Sequence, residues 1–121
     1  MRDFPDFLKN PLNKISSRSH YTAGIEGYVF DGADGGQVTI WNCSEEADSK
    51  RHVHGYDEYV LVIEGKYDLQ ISDKVITLGP GDEYLIPKGV EHGGRCYPGS
   101  RMIDAFAGPR AERETSPIQE K

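Results

Sequence analysis

The sequence has no apolar run longer than the five residues from Tyr59 to Ile63. A membrane-spanning helix needs about 20, so none is expected, and no signal-peptide core stands near the N-terminus. Basic stripes are missing too. Lys and Arg number 14 against 20 Asp and Glu, a net charge of −6, which argues against nucleic acid and anionic membranes as partners. Cysteine is scarce: Cys43 and Cys96 lie far apart with no CxxC spacing. That excludes a zinc finger and a disulfide framework. Two buried free thiols in a cytoplasmic protein are the expectation. The absence of GxSxG excludes a hydrolase nucleophile elbow, and the absence of GxxxxGK[ST] excludes a phosphate loop.

Turn residues, by contrast, are plentiful, with 14 Gly and 7 Pro in 121 residues. They punctuate short β-rich runs, and almost no helical period is present. Strands are expected at Gly27–Phe30, Gln37–Cys43, His52–Glu64, Lys66–Ser72, Val75–Leu78, Glu83–Ile86 and Arg101–Ala107. Asp31 to Gly36, Asp73-Lys74, Gly79 to Asp82 and Pro87 to Gly89 read as the turns between them. Many short strands at regular spacing predict an all-β sandwich or barrel. Residues 1–20 read as an N-terminal arm, 21–109 as the barrel, and 110–121 as a polar C-terminal tail. Phe4, Phe7 and Leu8 of the arm have no obvious place in a one-domain core. With sheet edges to cover, they point to a homodimer.

Only four histidines occur. His20 lies in a polar stretch and reads as solvated. His52 and His54 are two apart, which on a strand places both rings on one face, roughly 6–7 Å apart at Cα. Glu58 keeps the same parity, with Gly55-Tyr56-Asp57 able to bend the chain between them, and His92 comes from a later segment. Three imidazoles and a carboxylate suit one divalent transition metal: Mn, Fe, Co, Ni, Cu or Zn. Parity also points Tyr84 and Ile86 inward, and sets Val60 and Val62 on the face of Glu58. Trp41 and Asn42 lie on opposite faces of their strand. Trp41 reads as barrel core or dimer packing.

The run His52-Val53-His54, three residues, Glu58, six residues, Gly65 resembles the first motif of the cupin superfamily. Gly81, five residues, Pro87-Lys88-Gly89, two residues, His92 resembles the second. Glu46 stands where the first motif opens on glycine, and Cys96 where the second often ends on asparagine. Neither departure touches a ligand. The resemblance implies a double-stranded β-helix, or jelly-roll barrel, with a metal at its centre.

The closing segment Asp104-Ala105-Phe106-Ala107-Gly108-Pro109-Arg110 is similar to that of small cupins of pectin breakdown, which open the rings of unsaturated uronates. That likeness implies that Asp104, Phe106 and Arg110 lie at the metal pocket. Asp104 could then shuttle a proton and Arg110 clamp a substrate carboxylate. Glu58 stands where the pectin group generally carries Gln, which makes this site more negative. The expectation is a metal-dependent enzyme acting on a small polar metabolite, a sugar or organic acid. Uronate ring opening is one candidate and dioxygenase chemistry another. The alternative is a non-catalytic cupin that binds or senses a small molecule.

Overall fold

The structure is a computed structural model, and it describes residues 3–16 and 24–114. His20 and the end of the C-terminal tail lie outside the described residues. The described residues form nine strands: β1 (Ile25–Asp31), β2 (Gln37–Cys43), β3 (Ala47–His52), β4 (Glu58–Glu64), β5 (Tyr67–Ile71), β6 (Lys74–Leu78), β7 (Glu83–Ile86), β8 (His92–Cys96) and β9 (Ser100–Phe106). They build a five-stranded sheet ordered β1-β2-β9-β4-β7 and a four-stranded sheet ordered β3-β8-β5-β6. Every strand pairing is antiparallel. From β2 onward the chain crosses between sheets at nearly every turn, and the result is an all-β jelly roll.

Period-2 alternation builds the core. Val60 and Val62 face inward from β4, Leu69 and Ile71 from β5, Ile86 from β7 and Met102 from β9. A second cluster of Ile15, Val29, Trp41 and Ala111 closes one end.

Two strands go beyond the sequence expectation. β3 (Ala-Asp-Ser-Lys-Arg-His) is polar because it is an edge strand with one wet face, and β8 opens on His-Gly-Gly. Gly94 is required there: a Cβ would come within 2.1 Å of the Tyr67 hydroxyl. The expected single strand from His52 to Glu64 is broken between His52 and Glu58, where the chain passes from one sheet to the other. Asp57 fixes this crossing. Its carboxylate accepts from the Lys88 amide at 2.8 Å, and its carbonyl accepts from Ala107 at 2.9 Å. The turn expected at Asp73-Lys74 falls one residue earlier, with Lys74 opposite Ile71. Ser72 takes a φ of 53° there while its amide donates to Glu91.

The arm lies on its own chain. Phe4 is 3% exposed, edge-on to Tyr28 at 5.2 Å and beneath the Arg101 guanidinium. The place of Phe4 is thus the outer face of the protomer's own sheet, not that of a partner. Phe7 stays 81% exposed. Residues 110–114, read above as the start of a tail, are tied down. Ile15 bridges to Arg113, Ser16 donates to Glu112 and Glu114 to Lys14.

Candidate metal centre

His52 ends β3 and His92 begins β8, and the two are cross-strand partners. Glu58 begins β4 on the opposite sheet, and His54 rides the connection between. The crossing at 53–57 therefore folds an HxH…E pattern into one cluster drawn from both sheets. One ligand atom from each of His52, His54, Glu58 and His92 falls within 4.8 Å of all the others.

Backbone carbonyls orient two of the rings. Nδ1 of His52 lies 2.6 Å from the Lys50 carbonyl, and Nδ1 of His92 lies 3.0 Å from that of Val90. A carbonyl only accepts, so each Nδ1 carries the hydrogen and each Nε2 is left with a lone pair to offer. The Nε2 of His92 stands 3.1 Å from Glu58 Oε1. That of His54 stands 3.3 Å from the same oxygen, is buried and makes no hydrogen bond among the described residues. Lone pairs meeting at these distances require positive charge between them, supplied by protons or by a metal ion.

The acid–base shifts agree. Burial opposes ionisation of Glu58, but His54 and His92 outweigh it and hold the carboxyl at about 2. Burial also works against a proton on His92, yet the bond to Glu58 wins and its pKa rises. Burial pushes His52 down. An ionised carboxylate and a converging set of imidazole nitrogens fit a divalent transition metal, so the four residues could hold one.

The cluster opens on a cavity of about 80 Å³ between the sheets. Asp104, Phe106 and Arg110 all line it. Trp41 points inward and donates from Nε1 to Asp104 Oδ2 at 3.1 Å. Asn42 points outward and accepts from Arg101 at 2.7 Å. The other oxygen of Asp104, Oδ1, is buried with no hydrogen bond among the described residues. Burial first, then the Glu58 charge, push the Asp104 pKa well above the ordinary carboxylate range. Arg110 is presented by its neighbour: both backbone groups of Ala111 bond the Gln37 side chain, at 2.7 and 3.3 Å.

Tyr84 packs against the core cluster, whereas Ile86 of the same strand lines the cavity. Two aromatic residues at the site escaped sequence reasoning. Tyr56 stacks on the His54 ring at 4.8 Å and 11°. Tyr67 lines the cavity, and burial raises its hydroxyl pKa. Its parity with Leu69 and Ile71 was the available signal. Nothing in the sequence marks Tyr56, because it lies in the irregular crossing.

A jelly roll with candidate metal ligands at its heart defines a class, and comparison places the chain within it. The family profile "Cupin domain" matches residues 39–99, half of the sequence. The chain belongs to the cupin family. Among solved structures it is similar to KdgF from Halomonas sp., with TM-score 0.64 and 21% identity over 83% of this chain and 93% of that one. It is also similar to an RmlC-like cupin from Shewanella frigidimarina NCIMB 400, with TM-score 0.64 and 20% identity over 75% and 86%. A third similar structure is a salicylate 1,2-dioxygenase variant from Pseudoaminobacter salicylatoxidans, with TM-score 0.65 and 12% identity over 71% and 27%. No curated protein matches the sequence.

Proposed function

We propose that the protein is a divalent-metal-dependent enzyme acting on a small carboxylate-bearing sugar or organic acid, with an unsaturated uronate as the first candidate. One observation carries this: Asp104, Phe106 and Arg110 open onto the same cavity as His52 and Glu58 of the ligand cluster. Arg110 supplies a fixed planar cation for a substrate carboxylate. Asp104, its pKa raised chiefly by burial, is suited to give a proton from Oδ1, while Trp41 holds Oδ2 in place. Phe106 forms an apolar wall that limits water at the reacting carbon. His52, His54, Glu58 and His92 hold the metal, which when bound supplies Lewis-acid polarisation of a substrate oxygen. The protein works as a homodimer, a state favoured by the apolar outer face of the five-stranded sheet, and a cytoplasmic setting suits its two unbridged cysteines.

The test is to incubate metal-loaded protein with an unsaturated monouronate and follow loss of its ultraviolet absorbance. Turnover that vanishes in Asp104→Ala and Arg110→Ala supports the assignment. No turnover by the wild type with metal bound removes this substrate. An oxygen electrode run on candidate organic acids then examines the dioxygenase alternative. Metal analysis of a His52→Ala/His54→Ala variant tests the centre itself, and content equal to wild type would remove it.

A further inference from the structure

Cys43 ends β2 in the five-stranded sheet and Cys96 ends β8 in the four-stranded sheet. Only residues 44–46 separate β2 from Ala47 at the start of β3, and Ala47 is the cross-strand partner of Cys96. The sheets therefore converge at this corner, and the two sulfurs stand 2.8 Å apart across the interior. Both residues are buried and both are free thiols. A disulfide bond is about 2.05 Å long, so a shift of under about 1 Å turns this contact into a bond. Cys96 also lines the central cavity, which gives a small solute a route to the pair.

We propose that Cys43 and Cys96 are a redox modification site, oxidised by hydrogen peroxide entering through the cavity to a disulfide that staples the two sheets together. The Cys96 sulfur attacks one peroxide oxygen, the O–O bond breaks, and the departing hydroxide takes the thiol proton as water. Cys96 is then a sulfenic acid. The Cys43 sulfur attacks it, the S–O bond breaks as S–S forms, and hydroxide leaves with the Cys43 proton as a second water. Each sulfur loses one electron, and both peroxide oxygens end as water. Cys96 is the first to react because it is the member of the pair that lines the cavity, and Cys43, 2.8 Å away, is placed to resolve it.

The staple has a structural consequence. The segment between the two cysteines contains all four candidate ligands, His52, His54, Glu58 and His92. Oxidation would tie the ends of that segment independently of any bound metal, and whatever chemistry the centre performs.

The experiment uses the full chain loaded with zinc, which has no redox chemistry of its own. Reduced protein is treated with a slight excess of peroxide and examined by intact mass, thiol titration after denaturation, and peptide mapping. The expected result is a mass loss of about 2 Da, joint disappearance of both thiols, a Cys43 peptide joined to a Cys96 peptide, and reversal by dithiothreitol. The oxidised protein also melts at a higher temperature. Cys43→Ser is expected to stop at a sulfenic acid on Cys96 that dimedone traps. Wild-type protein that keeps both thiols, gains oxygen without cross-linking, or joins only between chains would overturn the proposal, and that readout needs no variant to fold.

Discussion

A carboxyl group inside a protein is either ionised with partners or protonated, and Asp104 has too few partners for the first. Trp41 satisfies one oxygen, and no described residue hydrogen-bonds the other. Its pKa is raised, so the folded state keeps a proton that the unfolded chain releases above its ordinary value of 3.8. Stability from this group is then greatest below that value and falls as pH rises through it toward the folded pKa. Asp104→Asn imitates the neutral acid and carries no such penalty. In metal-free protein the variant is expected to melt at or above the wild-type temperature at pH 7, with the gain vanishing near pH 4. Scanning calorimetry at both values checks this, and a variant that melts lower at pH 7 would contradict a protonated Asp104. The metal centre carries a second residue-scale prediction. Metal requires neutral imidazoles, and the proton on His92 is held more tightly than usual. Acidification from pH 8 to 5 should therefore weaken metal binding, by about tenfold per unit once His92 protonates. Chelator competition across that range measures it, and a flat profile would exclude His92 as a ligand. The His-Val-His spacing made this cluster legible in the sequence. The Trp41–Asp104 bond was not, because it joins two strands 63 residues apart.

Elements were legible where side chains alternate and hidden where glycine or charge replaces the pattern. β2 and β7 fall where their β-branched and aromatic residues place them. β3 and β8 offer too few apolar residues to betray a strand, yet they carry two of the four candidate ligands. Their pairing depends on what glycine leaves out. A Cβ on Gly94 would meet the Tyr67 hydroxyl at 2.1 Å and the Asp68 carbonyl at 2.8 Å. Backbone cannot yield as a flexible side chain can, so Gly94→Ala must spread β5 from β8. The expected cost is about 1–3 kcal/mol, typical of overpacking. Urea unfolding measures it, and an unchanged midpoint would show that the strands part freely. Because His92 begins β8, the same variant should also bind metal more weakly than wild type.

On the scale of the whole molecule, the five-stranded sheet has one face in the core and one with too much apolar surface for its position. Phe30, Val38, Ala105, Tyr59 and Leu85 form one continuous row across all five strands by register. Tyr28, Ile40, Ile103 and Leu61 form the next. The arm covers Tyr28 with Phe4, but Val38 remains 45% and Leu85 58% exposed. The proposed homodimer would meet on this contiguous apolar face, where a two-fold axis would lay each row against its copy. The net charge of −6 opposes contact between charged surfaces, and the first of these rows carries no charged residue. Leu85→Glu places a carboxylate within the row and, across a two-fold, repeats it on the partner. Sedimentation at tens of micromolar should give a dimer mass for wild type and a monomer mass for Leu85→Glu. Circular dichroism and metal content should be unchanged, since Leu85 points away from the cavity. A wild-type monomer would end the homodimer, and a Leu85→Glu dimer would move the interface to another face.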